Sequence, residues 1–125
     1  MPRPRVLVAD DVPENRTLFS IYLRKEYDVV AVATAEEALA EIEGGAVDVA
    51  LLDLNYQGGM TGIELVARLR AGGATAAVPA LALTAHASPS DRARCLAAGF
   101  DAYLSKPVLR VPMLEAVRDL LGGAA

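Results

Sequence analysis

Apolar residues in this chain gather in five short runs, and the stretches between them repeat apolar positions every three or four residues. The runs lie within Arg5–Ala9, Asp28–Ala33, Val47–Leu52, Ala80–Thr84 and Asp101–Leu104. Short continuous apolar runs bounded by polar or turn residues read as strands buried on both faces. The intervening segments read as helices. The first is predicted near Glu14–Lys25, with Leu18, Ile21 and Tyr22 at helical spacing. Thr34 is placed to cap the second, with Glu37 three residues on completing a capping box, and Gly44-Gly45 stops it after Glu43. A glycine-rich loop over Asn55–Met60 leads to a third helix with Ile63, Val66 and Leu69 on one face, ended by Gly72-Gly73. Ser88-Pro89 offers an N-cap with proline at the first helical position of the fourth, which reaches Ala98 and is closed by Gly99. The fifth starts near Pro112 and ends at Gly122, leaving a frayed tail to Ala125.

Strand and helix therefore alternate five times, which predicts an α/β domain with a parallel sheet covered on both faces. Right-handed crossovers leave few topologies. The expected one is a (βα)5 flavodoxin-like, doubly wound sheet of order 2-1-3-4-5, with strands one and three adjacent at the switch point. No linker, low-complexity segment or second domain interrupts residues 1–125. One domain is expected, its core at about 4–121, with no output domain.

Polar side chains cluster where those strands end. Asp10 and Asp11 follow the first run, Asp53 the third, Thr84 closes the fourth and Lys106-Pro107 follows the fifth. In an open α/β sheet the carboxyl edge is where ligands bind, so this topology brings all five to one place. Three carboxylates there repel one another unless a cation joins them. Oxygen donors that leave room for water suit Mg²⁺, with Mn²⁺ a second candidate. Asp11 and Asp53 are the expected direct ligands, Asp10 acts through a water, and the Asn55 backbone carbonyl completes the protein's share. A carboxylate so placed is a competent phosphoryl acceptor. Thr84 can donate to a phosphoryl oxygen and Lys106 can reach one as a point charge. The bond preceding Pro107 has an unusual chance of being cis, which would turn the lysine back toward the sheet edge. Any one of these residues alone also reads as a helix cap or a solvated side chain; the set does not.

Composition narrows the partners. The formal charge of −4 comes without a basic patch, which argues against direct nucleic-acid binding. The hydrophobic fraction of 54% and mean hydropathy of +0.32 are high, yet the apolar runs are far shorter than the roughly 20 residues of a membrane span. No signal-peptide pattern follows Met1, so the expected compartment is the cytoplasm. The single Cys95 allows no internal disulfide and reads as a small core residue; the single His86 allows no histidine-rich metal site.

Taken together, Val6-Leu7-Val8-Ala9-Asp10-Asp11, Leu51-Leu52-Asp53-Leu54-Asn55, Met60-Thr61-Gly62-Ile63-Glu64-Leu65, Leu83-Thr84-Ala85, Ala98-Gly99-Phe100-Asp101-Ala102-Tyr103-Leu104 and Lys106-Pro107 resemble the receiver domain of two-component response regulators (CheY-like) over nearly the whole chain. The resemblance implies that Asp53 takes a phosphoryl group from a phosphohistidine on a sensor histidine kinase or a histidine phosphotransfer protein. Asp10 and Asp11 would position Mg²⁺, and Thr84 and Lys106 would hold phosphoryl oxygens. Tyr103 matches the aromatic switch position whose rotamer follows Thr84, so the face of the fourth helix, fifth strand and fifth helix would change shape. That face would carry the signal, in a monomer or a weak dimer, to a downstream protein the sequence does not identify. Asn55 and His86 match positions that flank an attacking water and would tune loss of the phosphoryl group. The chain would be no enzyme beyond catalysing its own phosphorylation and dephosphorylation.

One segment departs from the family. Tyr56-Gln57-Gly58-Gly59-Met60-Thr61-Gly62 lacks the usual proline and is one residue longer, which removes a φ constraint and adds backbone freedom. Such an insertion looks like receivers that work with, or within, hybrid sensor kinases. The main rival is a receiver-like interaction module that signals without phosphorylation. A haloacid-dehalogenase-like phosphatase would need two aspartates separated by one residue after the first strand, and a flavodoxin would need a Ser/Thr-rich phosphate loop there. Asp10-Asp11-Val12-Pro13-Glu14 fits neither.

Overall fold

The structure, a computed structural model, describes residues 3–55, 59–85 and 88–122. Ten elements alternate: β1 (Arg5–Ala9), α1 (Pro13–Leu23), β2 (Asp28–Val32), α2 (Ala35–Glu43), β3 (Val49–Asp53), α3 (Gly62–Ala71), β4 (Ala80–Thr84), α4 (Pro89–Ala98), β5 (Ala102–Ser105) and α5 (Arg110–Gly122). The strands form one parallel sheet in the order β2-β1-β3-β4-β5, as the pattern predicts. Helices cover both faces, so every side chain of β3 and β4 is buried, while the edge strands β2 and β5 are only partly so.

The core divides into two layers. Leu7, Ala9, Ala50, Leu52, Ala80 and Ala82 point to α2, α3 and the Cys95–Phe100 end of α4. Val6, Val8, Val49, Leu51, Leu81 and Leu83 point to α1 and α5, meeting Phe19, Leu23, Met113 and Val117. That division is the period-two alternation of a strand. Cys95 is fully buried in the first layer, as expected.

Several local expectations need correction. β3 begins at Val49 rather than Val47 and includes Asp53, and β5 runs Ala102–Ser105. Asp48 falls out of the strand; its Oδ2 instead accepts the Arg5 N–H at 2.7 Å. The buried face of α1 is Phe19 and Leu23, with Tyr22 partly buried, whereas Leu18 and Ile21 are 40% and 48% exposed. Two apolar faces share that helix, and only the tertiary arrangement decides which packs inward. Thr34 does accept the Glu37 N–H, but the Glu37 carboxylate returns to the Ala33 N–H and not to the cap's own. The reciprocal box occurs instead at Thr61–Glu64, opening α3. α5 starts at Arg110, two residues early, because Pro112 sits in the first turn where a missing N–H costs nothing. The Ser88 cap, the proline at the start of α4 and its closure at Gly99 are as read from the sequence. His86, residues 56–58 of the long loop and the tail from residue 123 lie outside the described residues.

Candidate functional site

The parallel register delivers the acidic residues to one corner. Asp10 leaves β1 with its N–H donating to Val32 O at 3.1 Å, and Asp53 ends β3 opposite Leu83 of β4. β1 and β3 are neighbours, so the two carboxylates face each other across the switch point. Carboxylate oxygens of Asp10, Asp11 and Asp53 lie within 4.8 Å of one another. Asp10 is fully buried, Asp53 is 5% exposed and Asp11 is half-buried.

Lys106 enters from the far side of the sheet. Its Nζ donates to Asp10 Oδ2 at 2.8 Å and to Asp53 Oδ2 at 3.1 Å. The Lys106-Pro107 bond is cis, as the sequence suggests. The Lys106 N–H donates to Thr84 O at 2.7 Å, so the fourth and fifth strand ends are tied together at the site. Thr84 is 1% exposed and lies at that same carboxyl edge. The Asn55 N–H donates to Asp53 Oδ1 at 3.2 Å, which leaves Asn55 next to Asp53, where the sequence puts it.

Electrostatics follows from this crowding. Burial is the largest influence on Asp53 and pushes its carboxyl above the ordinary aspartate value. The Asn55 N–H and the Lys106 ammonium pull the other way, and the charge of Asp10 pushes up again. Burial pulls the Lys106 ammonium down, but its two carboxylate partners together outweigh it and hold the group above its ordinary value. Among the described residues, three carboxylates meet there, Lys106 bridges two of them and the Arg16 guanidinium sits on the Asp10 carbonyl, so the corner stays negative. A second cation is what the donor chemistry calls for, and hard, closely spaced oxygens fit Mg²⁺.

Sequence reasoning missed the supports of Asp10. Its Oδ1 accepts the Val12 N–H at 2.9 Å, its Oδ2 also accepts from Asn15 Nδ2 at 3.3 Å, and its backbone carbonyl accepts from Arg16 Nη1 at 2.9 Å. Asn15-Arg16 one turn into α1 was the available signal. Gly62 was read as part of a motif, and its reason is steric. A Cβ there would lie 2.3 Å from Asp53 O, so glycine alone lets α3 abut the Asp53 peptide. Tyr103 is half-buried on β5, paired in register with Ala82. It borders a groove of about 520 Å³ shared with Ser88, Pro89, Arg92, Ala93, Leu96 and Ser105. The groove is apart from the carboxylates and belongs to the face of α4 and β5. His86 lies outside the described residues.

Comparison with known proteins agrees with this geometry. The response regulator receiver domain family matches residues 6–118. An uncharacterized 14.6 kDa protein of Leptolyngbya boryana is 37% identical over 115 residues, covering 91% of this chain and 87% of that protein. The sensory/regulatory protein RpfC of Xanthomonas campestris is 34% identical over 93% of this chain, which spans only 16% of RpfC. Among solved structures, the receiver domain of sensor histidine kinase PA1611 of Pseudomonas aeruginosa superposes with a TM-score of 0.87 at 31% identity, covering 96% of this chain and 98% of that one. It carries a magnesium ion coordinated in its active site cleft. The chain belongs to the response regulator receiver domain family of two-component signalling, with the flavodoxin-like fold of its CheY-like neighbours.

Proposed function

We propose that Asp53 accepts a phosphoryl group from a phosphohistidine of a sensor histidine kinase or a histidine phosphotransfer protein, and that the resulting acyl phosphate is the signal. The observation that carries this is the corner itself: three carboxylates with oxygens within 4.8 Å, and one lysine bridging Asp10 and Asp53. An Asp53 carboxylate oxygen forms the new P–O bond as the donor's P–N bond breaks, and the imidazole leaves with the electron pair. Mg²⁺ held by Asp11, Asp53 and the Asn55 carbonyl, with Asp10 through water, would offset the charge on the transferring group. Lys106 already contacts the acceptor carboxylate and has only to move its ammonium onto a phosphoryl oxygen. Thr84 donates its hydroxyl to another.

The chain catalyses only its own modification and the later hydrolysis, whose rate Asn55 and His86 set. Movement of Thr84 biases Tyr103, and with it the face of α4, β5 and α5, between two arrangements. The donor has a surface to settle on, since Val12 before α1 and Leu18 and Ile21 along it are exposed. No helix among the described residues is long and apolar enough to cross a membrane; the reading places the chain in the cytoplasm with its donor, as a monomer or weak dimer.

The test is incubation with acetyl phosphate and Mg²⁺ followed by intact mass. One added phosphoryl mass is expected, absent in Asp53→Asn and absent with a chelator. No added mass from acetyl phosphate or from a panel of kinases would instead establish the phosphorylation-independent module.

A further inference from the structure

The loop between β3 and α3 carries Gly58-Gly59 and no proline, and it is also where α2 reaches toward the site. Glu36 is the second residue of α2, and its Oε2 accepts the Met60 N–H at 2.8 Å. Gly59, just before, has a φ of +69°, and a Cβ there would lie 2.8 Å from Glu36 Oε2 and 3.1 Å from Oε1. The carboxylate thus fills the space a side chain would take. The Met60 N–H, followed by the helix's own N–H at Glu36, lowers that carboxyl below its ordinary value.

The bond matters because of what lies on either side of it. After Met60 the chain enters the Thr61–Glu64 box and Gly62, which abuts Asp53 O and donates its N–H to Leu54 O at 3.0 Å. Before it, the loop departs through Asn55, whose N–H holds Asp53 Oδ1. A loop with two glycines and no proline loses more chain entropy on ordering than one restrained by proline. An external anchor at its returning end offsets that loss.

We propose that Glu36 is a positioning residue: by holding the Met60 amide it fixes the returning end of the β3–α3 connection, where Gly62 abuts Asp53 O and donates to Leu54 O, and so steadies the neighbouring Asn55 carbonyl offered to the divalent ion. This rests on the metal reading given above. The test compares the full chain with its Glu36→Ala and Glu36→Gln variants, using calorimetric titration with MgCl₂ and amide exchange at Met60 by NMR. Glutamine keeps an acceptor oxygen without the charge. Expected are Mg²⁺ dissociation constants within about twofold for wild type and E36Q, and roughly three- to tenfold weaker for E36A, the scale of one hydrogen bond. Met60 exchange should be slow in the first two and fast in E36A. Equal Mg²⁺ affinity in E36A and wild type, or E36Q as weak as E36A, overturns the positioning role; the second result assigns the effect to charge. A wild-type Met60 amide that exchanges freely overturns it without reference to metal. A wild type that does not bind Mg²⁺ overturns the metal reading as well, so the two failures are distinct.

Discussion

Replacing Lys106 with methionine keeps most of the stem and removes the ammonium that bridges Asp10 and Asp53. Two carboxylates, one fully buried and one nearly so, then face each other without their cation. Stripping one partner from a buried ion pair costs about 3–5 kcal/mol, and the 20% exposure of the Lys106 side chain puts this case at the lower end. A ceiling follows from titration. The folded protein can relieve the repulsion by protonating Asp53, the group burial already pushes upward. Protonating an aspartate of ordinary value near 3.9 at pH 7 costs about 4 kcal/mol. The expected loss is therefore about 3 kcal/mol at pH 7 in chelator, a fall of roughly 2 M in the urea midpoint for a slope near 1.5 kcal/mol/M. The sign of its pH dependence is fixed. As pH falls, folded K106M takes up a proton before the unfolded chain does, so over that interval the deficit shrinks, by at most about 1.4 kcal/mol per unit. Urea titrations of both proteins from pH 5 to 8 measure this, and excess Mg²⁺ should recover part of the deficit. A deficit under about 1 kcal/mol at pH 7, or one unchanged between pH 8 and 5, would refute the claim that Lys106 is the resident counter-ion of this corner.

Three further outcomes are expected. Asp53→Asn should melt higher than wild type at pH 7 in chelator, because burial, the largest influence on Asp53, holds its carboxyl above the ordinary value and makes its charge costly. The advantage should narrow as pH falls through the folded-state value, and a lower melting temperature for the asparagine variant at pH 7 would count against it. Arg70→Met should lose about 2–3 kcal/mol, since that guanidinium donates to Gly99 O, Ala76 O, Val78 O and Asp101 Oδ2 at 2.7–3.0 Å; thermal melts would show it, with phosphorylation at Asp53 unaffected. Thr61→Ala should cost about 1 kcal/mol through the lost capping box, and denaturant titration showing no loss would mean that Glu64 and the Gly62 contact suffice to start α3.

The fold was legible because each signal was redundant. Buried parallel strands need unbroken apolar runs, and the glycines and caps that end the helices fall between them, so neither boundary rested on one residue. The errors occurred where one residue could serve two ways. Leu18 and Ile21 have the spacing of a core face, but α1 carries a second set in Phe19 and Leu23, and the sequence has no term for which set meets the sheet. Thr34 and Glu37 have the spacing of a capping box, and the carboxylate chose the neighbouring Ala33 amide. The candidate site was legible because strand ends are fixed by the run that precedes them. Asp10, Asp53, Thr84 and Lys106 inherit their positions from β1, β3, β4 and β5. Its supports were not, because Glu36, Asn15 and Arg16 reach the site from helices whose rotation no periodicity specifies.

On the proposed reading, charge at the corner also poises Asp53 to accept. Asp10 has two oxygens with about four lone-pair sites, and the Val12 amide, Asn15 and Lys106 occupy three of them. Among the described residues these leave it one acceptor site, which suits a supporting role through water better than direct replacement of its partners. Asp53 is bound more lightly, by the Asn55 amide on Oδ1 and Lys106 on Oδ2, and burial opposes its charge. On the proposed reading, the Asp53 oxygen is kept as the bridging oxygen of the acyl phosphate, and the phosphoryl oxygens take over Lys106. The same ammonium then serves both states, balanced against Asp10 throughout, and only its second partner changes. A switch built this way needs no new charge from elsewhere in the protein, and the energy separating its two arrangements is set by how far Lys106 and Thr84 follow the phosphoryl oxygens.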